Sequence, residues 1–242
     1  MEYRRVSEIG RGSGAFEDMV RAAALDSDGT WYLAGGKTIQ AFAGDGTRTG
    51  SWVTAQPVWS LGVDSSGHVW AGEPGQIEVF VADAGSRWIH RFDRERRLLN
   101  HIGDRHRKGG FHIPNGVVDF GVDLDGTLVV ANPGMHRVER YKPDGEPLGH
   151  FGQFGQQDPA GFPGCCNPTN LALGRDGEIV VSEKAGPRVK VYDPRGQLIA
   201  VVAGGNDFAP ECKNMDLVVT REGLIGVVDP IARMVVLFEV IS

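Results

Sequence analysis

"FGVDLDGTLVVANPGMHRVERYKPDGEPLGHFG", residues 120–152, sets four short runs rich in Val, Tyr, Leu and Phe between three clusters of turn residues: Asp-Leu-Asp-Gly, Asn-Pro-Gly and Pro-Asp-Gly. Runs of this length bounded by Gly, Asp and Pro read as strands, not helices. Glycine at the end of a tight turn supplies the positive φ that a hairpin needs. The stretch therefore predicts four antiparallel strands in series.

The pattern recurs. "AALDSDGTWYLAGG", "LGVDSSGHVWAGEPG", "LALGRDGEIVVSEKAG" and "LVVTREGLIGVVDP" each give a strand, a polar turn and a second strand, with turn glycines at Gly29, Gly67, Gly177 and Gly223 beside Gly126. Third strands follow in "KTIQAFAGDG", "SRWIHRFDRERR", "RVKVYDPRGQ" and "RMVVLFEV", and fourth strands in "PLGHFG" and "QLIAVVAG". Units of four strands every ~40–50 residues are the signature of β-propeller blades. The expectation is an all-β fold, one propeller domain spanning residues 1–242. The last unit stops after three strands, and "YRRVSEIG" at the amino terminus is an orphan strand. Tyr3–Ile9 is therefore predicted to pair with Met234–Glu239 and join the chain ends, which removes an exposed edge.

One spacing departs from the repeat. The small residues closing each second strand are Ala34, Ala71, Ala82, Ala131, Ser182 and Val228, in steps of 37, 11, 49, 51 and 46. Eleven residues cannot hold a blade. The favoured reading is a six-bladed template with one incomplete blade pair around Phe80–Val81; five blades is the alternative.

"ANPGMHRVERYKPDGE", "VADAGSRWIHRFD" and "SEKAGPRVKVYDPRGQ" resemble NHL repeats. That resemblance covers nearly the whole chain and implies a six-bladed propeller. Such propellers include scaffolds, RNA binders, lyases and sensors, so fold does not choose the function.

The composition narrows the rest. The chain has 242 residues, 41% apolar, and a net charge of −6, which offers no general attraction to nucleic acid or anionic membrane. Three cysteines are too few for a disulfide framework. "MEYRRVSEIG" lacks the apolar core of a leader peptide, so a monomer in the cytoplasm is the default expectation.

In a propeller the fourth-to-first connections lie at the face where inner strands begin. Here they are long, including "GDRHRKGGFHIPNG", "GQFGQQDPAGFPGCCNP" and "GGNDFAPECK", and long loops on a rigid scaffold carry binding residues. This places Cys165, Cys166, Cys212 and His112 near one rim. Aligning the inner strands on their turns gives a column of Ala22, Ser60, Asp119, Asn170 and Asp216 at the upper channel mouth. Asp119, Asn170, Asp216, Ser60, Cys165, Cys166 and His112 are the candidate ligand-binding residues. Asp119 and Asp216 are the candidate ligands of a divalent ion such as calcium or zinc, because neighbouring carboxylates call for a cation or a raised pKa. Water and backbone donors are the competing solution.

The Cys165–Cys166 pair lacks the spacer that aims two sulfurs at one metal, so packing under a lid loop is the leading reading. Metal binding together with Cys212 and His112, and redox or nucleophilic chemistry, are the others. Asp83 with Arg87, Asn132 with Arg137, Glu183 with Arg188 and Asp229 with Arg233 recur at one place in the repeat and predict an architectural staple. "AGGKT" is not a P-loop, since Trp31 stands where its first glycine belongs. The basic residues between Arg87 and Lys108 split between two faces, and RNA is not the expected partner.

The expected function is non-catalytic binding of a small polar ligand, a metal ion or a protein partner at the upper mouth. The alternatives are a metal-dependent lyase or lactone hydrolase, in which Asp119 and Asp216 hold the ion, and an RNA-binding propeller.

Overall fold

The computed structural model describes residues 2–10, 16, 19–26, 28–53, 61–63, 69–70, 79–83, 87–92, 98–103, 111–114, 116, 118–123, 125–184 and 186–241. Strand β1 (Glu2–Ile9) opens the chain. β2 (Val20–Leu25), β3 (Trp31–Gly35), β4 (Thr38–Phe42) and β5 (Arg48–Val53) form a four-stranded sheet, and β6 (Gly62–Val63) pairs with β7 (Val69–Trp70). β8 (Val79–Asp83), β9 (Trp88–Phe92) and β10 (Leu98–Ile102) make a three-stranded sheet. Two four-stranded sheets follow. The first holds β11 (Asp119–Val122), β12 (Leu128–Asn132), β13 (Arg137–Tyr141) and β14 (Pro147–Phe151). The second holds β15 (Asn170–Leu173), β16 (Ile179–Glu183), β17 (Arg188–Tyr192) and β18 (Leu198–Ala203). β19 (Leu217–Val219), β20 (Ile225–Asp229) and β21 (Met234–Ile241) complete the set, with β1 as the fourth strand of their sheet. Every pairing is antiparallel, as hairpin connections require.

The predicted union of the chain ends is present. Tyr3 lies opposite Val240 and Ile9 opposite Val235, with a slip between Arg5 and Ser7. The turns form for the anticipated reason: Gly29, Gly126, Gly177 and Gly223 sit at φ between +83° and +86°. Each donates its N–H to the residue three back, as Gly126 does to Asp123 at 2.9 Å. β8 runs unbroken through Phe80–Val81 in the second-strand place of its sheet. β6–β7 and β8–β10 are the two short sheets among the described residues, where the spacing of the repeat fails.

The core lies between sheets. Val129, Ala131 and Val138 pack against Phe162 of the connecting loop and Leu171, Ile179, Val181 and Tyr192 of the next sheet. The last sheet and the first meet through Val228, Val235 and Leu237 against Trp31, Leu33 and Phe42. Alternation along each strand sends successive side chains to opposite neighbours, so both faces of a sheet are buried and its strands read as nearly continuous apolar runs. β12, β16 and β20 are buried at every position. Inner strands β11, β15, β19, β2 and β6 neighbour one another in that order, as sheets turned about an axis must. No helix of the described residues is long and apolar enough to cross a membrane.

Candidate functional site

The predicted column is real in register. Ala22 lies opposite Ala34, Asp119 opposite Ala131 and Asn170 opposite Ser182, while the Asp216 carbonyl accepts from Val228 N–H at 2.9 Å. Ser60 lies outside the described residues.

The acids serve as inter-sheet clasps. Asp119 accepts from its neighbour Phe120 N–H at 3.0 Å and, through its second oxygen, from Leu171 N–H of the next sheet at 2.8 Å. Asp216 repeats the device, taking Leu217 N–H at 3.0 Å and Ala23 N–H at 2.9 Å. Backbone donors therefore satisfy part of each carboxylate, as the competing solution required. A carboxylate oxygen has two lone pairs, so each acid keeps acceptor capacity beyond these backbone bonds.

Asn170 interrupts the series. By the repeat, its oxygen would accept from Leu217 N–H, but that proton is already donated to Asp216. Leu171 N–H is likewise engaged with Asp119. The amide group of Asn170 hydrogen-bonds the Asp119 carboxylate, and its buried Oδ1 has no donor among the described residues. A buried acceptor left bare costs about 1–3 kcal/mol.

Burial pushes the Asp119 carboxyl up to about 6, against the lowering effect of the Leu171 and Phe120 N–H groups. Burial, and then the charge of Asp119, push Asp216 up to about 7. The folded state thus holds protons that the unfolded chain releases above about pH 4. That contribution to stability is in place at low pH and is lost as pH rises through 6 and 7. Unfolding free energy from urea titration is expected to fall between about pH 5 and pH 8, by at least about 1.4 kcal/mol, the free energy of a tenfold change in proton affinity. Asp216→Asn keeps an acceptor oxygen without the charge and should flatten the curve. A wild-type stability that climbs over this interval would contradict the carboxyl arrangement.

The same three inner strands border a cavity of about 680 Å³ at their other ends. Val122, Leu173 and Val219 form its apolar collar, and Arg175 and Arg221 stand at matching turn positions. The axis is therefore acidic where strands begin and carries guanidinium groups where they end.

The cysteines separate. The β14–β15 connection, residues 152–169, is tied down by Phe162, which is fully buried between sheets. Tyr192 Oη donates to the Ala160 carbonyl at 2.8 Å, and Lys190 Nζ to Pro159 and Gly161 carbonyls at 3.1 and 2.8 Å. Asn167 secures the far end, donating to Pro163 O at 2.7 Å and accepting from Lys184 N–H at 2.8 Å. On this frame Cys165 is exposed and Cys166 buried, with sulfurs 3.3 Å apart. Burial, then the hydrogen bond with Cys165, raise the Cys166 thiol, which disfavours its thiolate.

Cys212 sits in the core between the last two sheets. Burial and its hydrogen bond to Asp229, at 3.2 Å, push it up to about 12. His112 is exposed, its Nδ1 3.1 Å from Gly134 O, beside the 3-10 turn Pro133–Met135. Cys212 is held by Asp229 and His112 by Gly134. Among the described residues no group of three or more His, Cys, Asp or Glu side chains is placed to hold a metal ion. The four-ligand set of Cys165, Cys166, Cys212 and His112 does not assemble.

The acid–arginine staple needs correction. Only Glu183 and Arg188 pair directly, at 2.6 Å, among the three pairs whose side chains are described. Asn132 and Arg137 meet through the buried Glu139, which also accepts from Tyr141 Oη at 2.6 Å. Asp229 instead caps Ile231 and Ala232 N–H, and Arg233 donates to Phe16 O. Sequence spacing missed Glu139 and Lys190, matching positions of β13 and β17, because both lie within strands that otherwise read as apolar. The basic residues Arg94, Arg96, Arg97, Arg105, Arg107 and Lys108 lie outside the described residues.

No family model matches this sequence, and no curated protein does. Solved structures do. A Bacteroides thetaiotaomicron protein of unknown function is similar at TM-score 0.72 and 12% identity, over 98% of this chain and 76% of its own. The WD40 β-propeller domain of Doa1 is similar at TM-score 0.59 and 12% identity, over 98% and 96%. Myxococcus xanthus glutaminyl cyclase is similar at TM-score 0.56 and 12% identity, over 98% and 95%. At such identities likeness reports fold alone, and it agrees with the stacked antiparallel sheets: the chain is an all-β protein with the β-propeller fold.

Proposed function

We propose that this NHL-like propeller is a non-catalytic binding protein whose upper channel mouth takes a small polar ligand bearing hydrogen-bond donors, an amine or a polyol. The observation that carries this reading is the bare, buried Asn170 Oδ1 beside two carboxyl groups that titrate near neutrality. Together they offer acceptors that backbone groups leave unfilled, arranged on three successive inner strands. Calcium takes about 6–8 oxygens. Two carboxyls and one amide supply too few of these, which favours an organic donor over a resident ion at Asp119 and Asp216. The exposed Cys165, with Cys166 beneath it, lies on the loop leading to Asn170 and would form the lid, with His112 at the rim.

Asn170→Leu tests the site without removing either clasp. Its stability should stay within about 2 kcal/mol of wild type, since the unsatisfied acceptor it deletes offsets the amide hydrogen bond to Asp119 that it also removes. Thermal shifts would be measured for a panel of small amines, polyols and divalent cations. At least one amine or polyol should stabilise the wild type and leave the leucine variant unmoved; saturating ligand at about a hundred times Kd adds about 2.7 kcal/mol. A panel without any stabiliser, or equal shifts in both proteins, would end this reading.

A further inference from the structure

His90 of β9 and His101 of β10 face each other directly across the strand pair. Their Nδ1 atoms are 2.7 Å apart, with ring centroids at 4.8 Å and planes at 79°. At that separation one nitrogen is bare and accepts the other's proton. Ile89 and Ile102, their chain neighbours, are fully buried against Phe111, Leu128 and Val130. Strand alternation therefore puts the imidazoles on the opposite face, where His101 is exposed and β10 is the outer strand. Asn100 and Arg91 both donate to Pro143 O, at 3.1 and 3.3 Å, and brace the pair of strands against the next sheet.

We propose that His90 and His101 are a chelating site for a divalent transition-metal ion with right-angled ligand geometry, copper(II) above all. Imidazole nitrogen suits copper, nickel and zinc, and copper(II) heads the affinity order. Geometry sharpens the choice. With metal–nitrogen bonds of about 2.0 Å, two ligands at a right angle lie about 2.8 Å apart and two tetrahedral ligands about 3.3 Å. The observed 2.7 Å is close to the first, so the nitrogens keep their spacing while the rings turn their lone pairs toward the ion. The donor imidazole passes its Nδ1 proton through solvent to its own Nε2, so both rings stay neutral with both Nδ1 lone pairs on the ion, and water fills the remaining positions. This site stands apart from the channel mouth and does not depend on its ligand.

Copper(II) titration of the full chain, followed by electron paramagnetic resonance and tryptophan fluorescence, tests it. One equivalent should bind with a tetragonal nitrogen-ligated spectrum and quench Trp88, whose ring is centred 6.0 Å from that of His101. His90→Asn and His101→Gln should each weaken binding at least about a hundredfold, because the second imidazole acts as an intramolecular ligand. His150→Asn, on exposed β14, should bind as wild type. Circular dichroism of each variant separates lost ligation from lost folding. The wild type alone supplies a second criterion: copper must bind more tightly than zinc. Undiminished binding in folded His90 and His101 variants, no site at one equivalent, or zinc binding as tight as copper, would overturn the assignment.

Discussion

Lys190→Met is expected to lower unfolding free energy by about 3–5 kcal/mol in urea titration, the cost of leaving one member of a buried ion pair behind. Lys190 and Glu183 are both fully buried, with Nζ and Oε1 2.6 Å apart in a charge contact not aligned as a hydrogen bond. Arg188 engages the other Glu183 oxygen, so methionine does not strand the carboxylate entirely. It does remove the two donors that hold the Pro159 and Gly161 carbonyls. It also removes the ammonium lying 4.5 Å from the Phe162 ring centre. Burial holds the Lys190 pKa below its ordinary value, while Glu183 opposes that shift. Glu183→Gln in the same background should recover part of the loss, because no buried charge is then left short of a partner. A cost below about 1 kcal/mol for Lys190→Met would show that water reaches this node and screens it.

Gly152→Ala should cost about 2–5 kcal/mol, combining left-handed backbone strain with overpacking. Gly152 has φ +93°, and an added Cβ would overlap the edge of the Phe162 ring and come within 3.2 Å of the His136 carbonyl. Phe162 cannot yield, being fully buried between two sheets. Gly29→Ala is the internal control. Its φ is +83° with no atom of the described residues within 4 Å of the added carbon, so strain alone applies, about 1–2 kcal/mol. Both Gly152→Ala and Lys190→Met act on the loop that carries Cys165 and Cys166. Their effects should be non-additive, as for residues sharing a contact. Equal losses at Gly29 and Gly152 would mean the loop, not Phe162, gives way.

These two sites explain why the β14–β15 connection is a fixed part of the surface. A long loop ordinarily sits low in stability. Here its own buried Phe162 anchors it, a buried lysine and a tyrosine hydroxyl grip it from β17, and Asn167 closes it onto Lys184. The strand that supports the candidate mouth and the loop beside it are therefore one mechanical unit, which lets Asn170 keep an acceptor bare at a constant place.

What could be read from residues alone follows from local chemistry. Recurrent polar turns ending in glycine, and Val-rich runs between them, allow few conformations other than hairpins. Hence the strand order, the pairing of Tyr3–Ile9 with the last strand, and the column of Ala22, Asp119, Asn170 and Asp216 all follow from counting along the chain. Partnership across sheets does not. Which backbone N–H reaches Asp119, why Asn170 goes without one, and why a lysine sits in the interior of β17 depend on residues 29 to 193 positions apart, brought together only when sheets pack. The His90–His101 contact lies between these cases: strand identity was legible, but a register slip between Leu98 and Asn100 sets which residues meet. Sequence by itself determined the sheets, because turn geometry and side-chain alternation are local. Tertiary structure decided the chemistry of the acids, the buried ion pair and the facing imidazoles, because solvation and distance are properties of the assembled molecule.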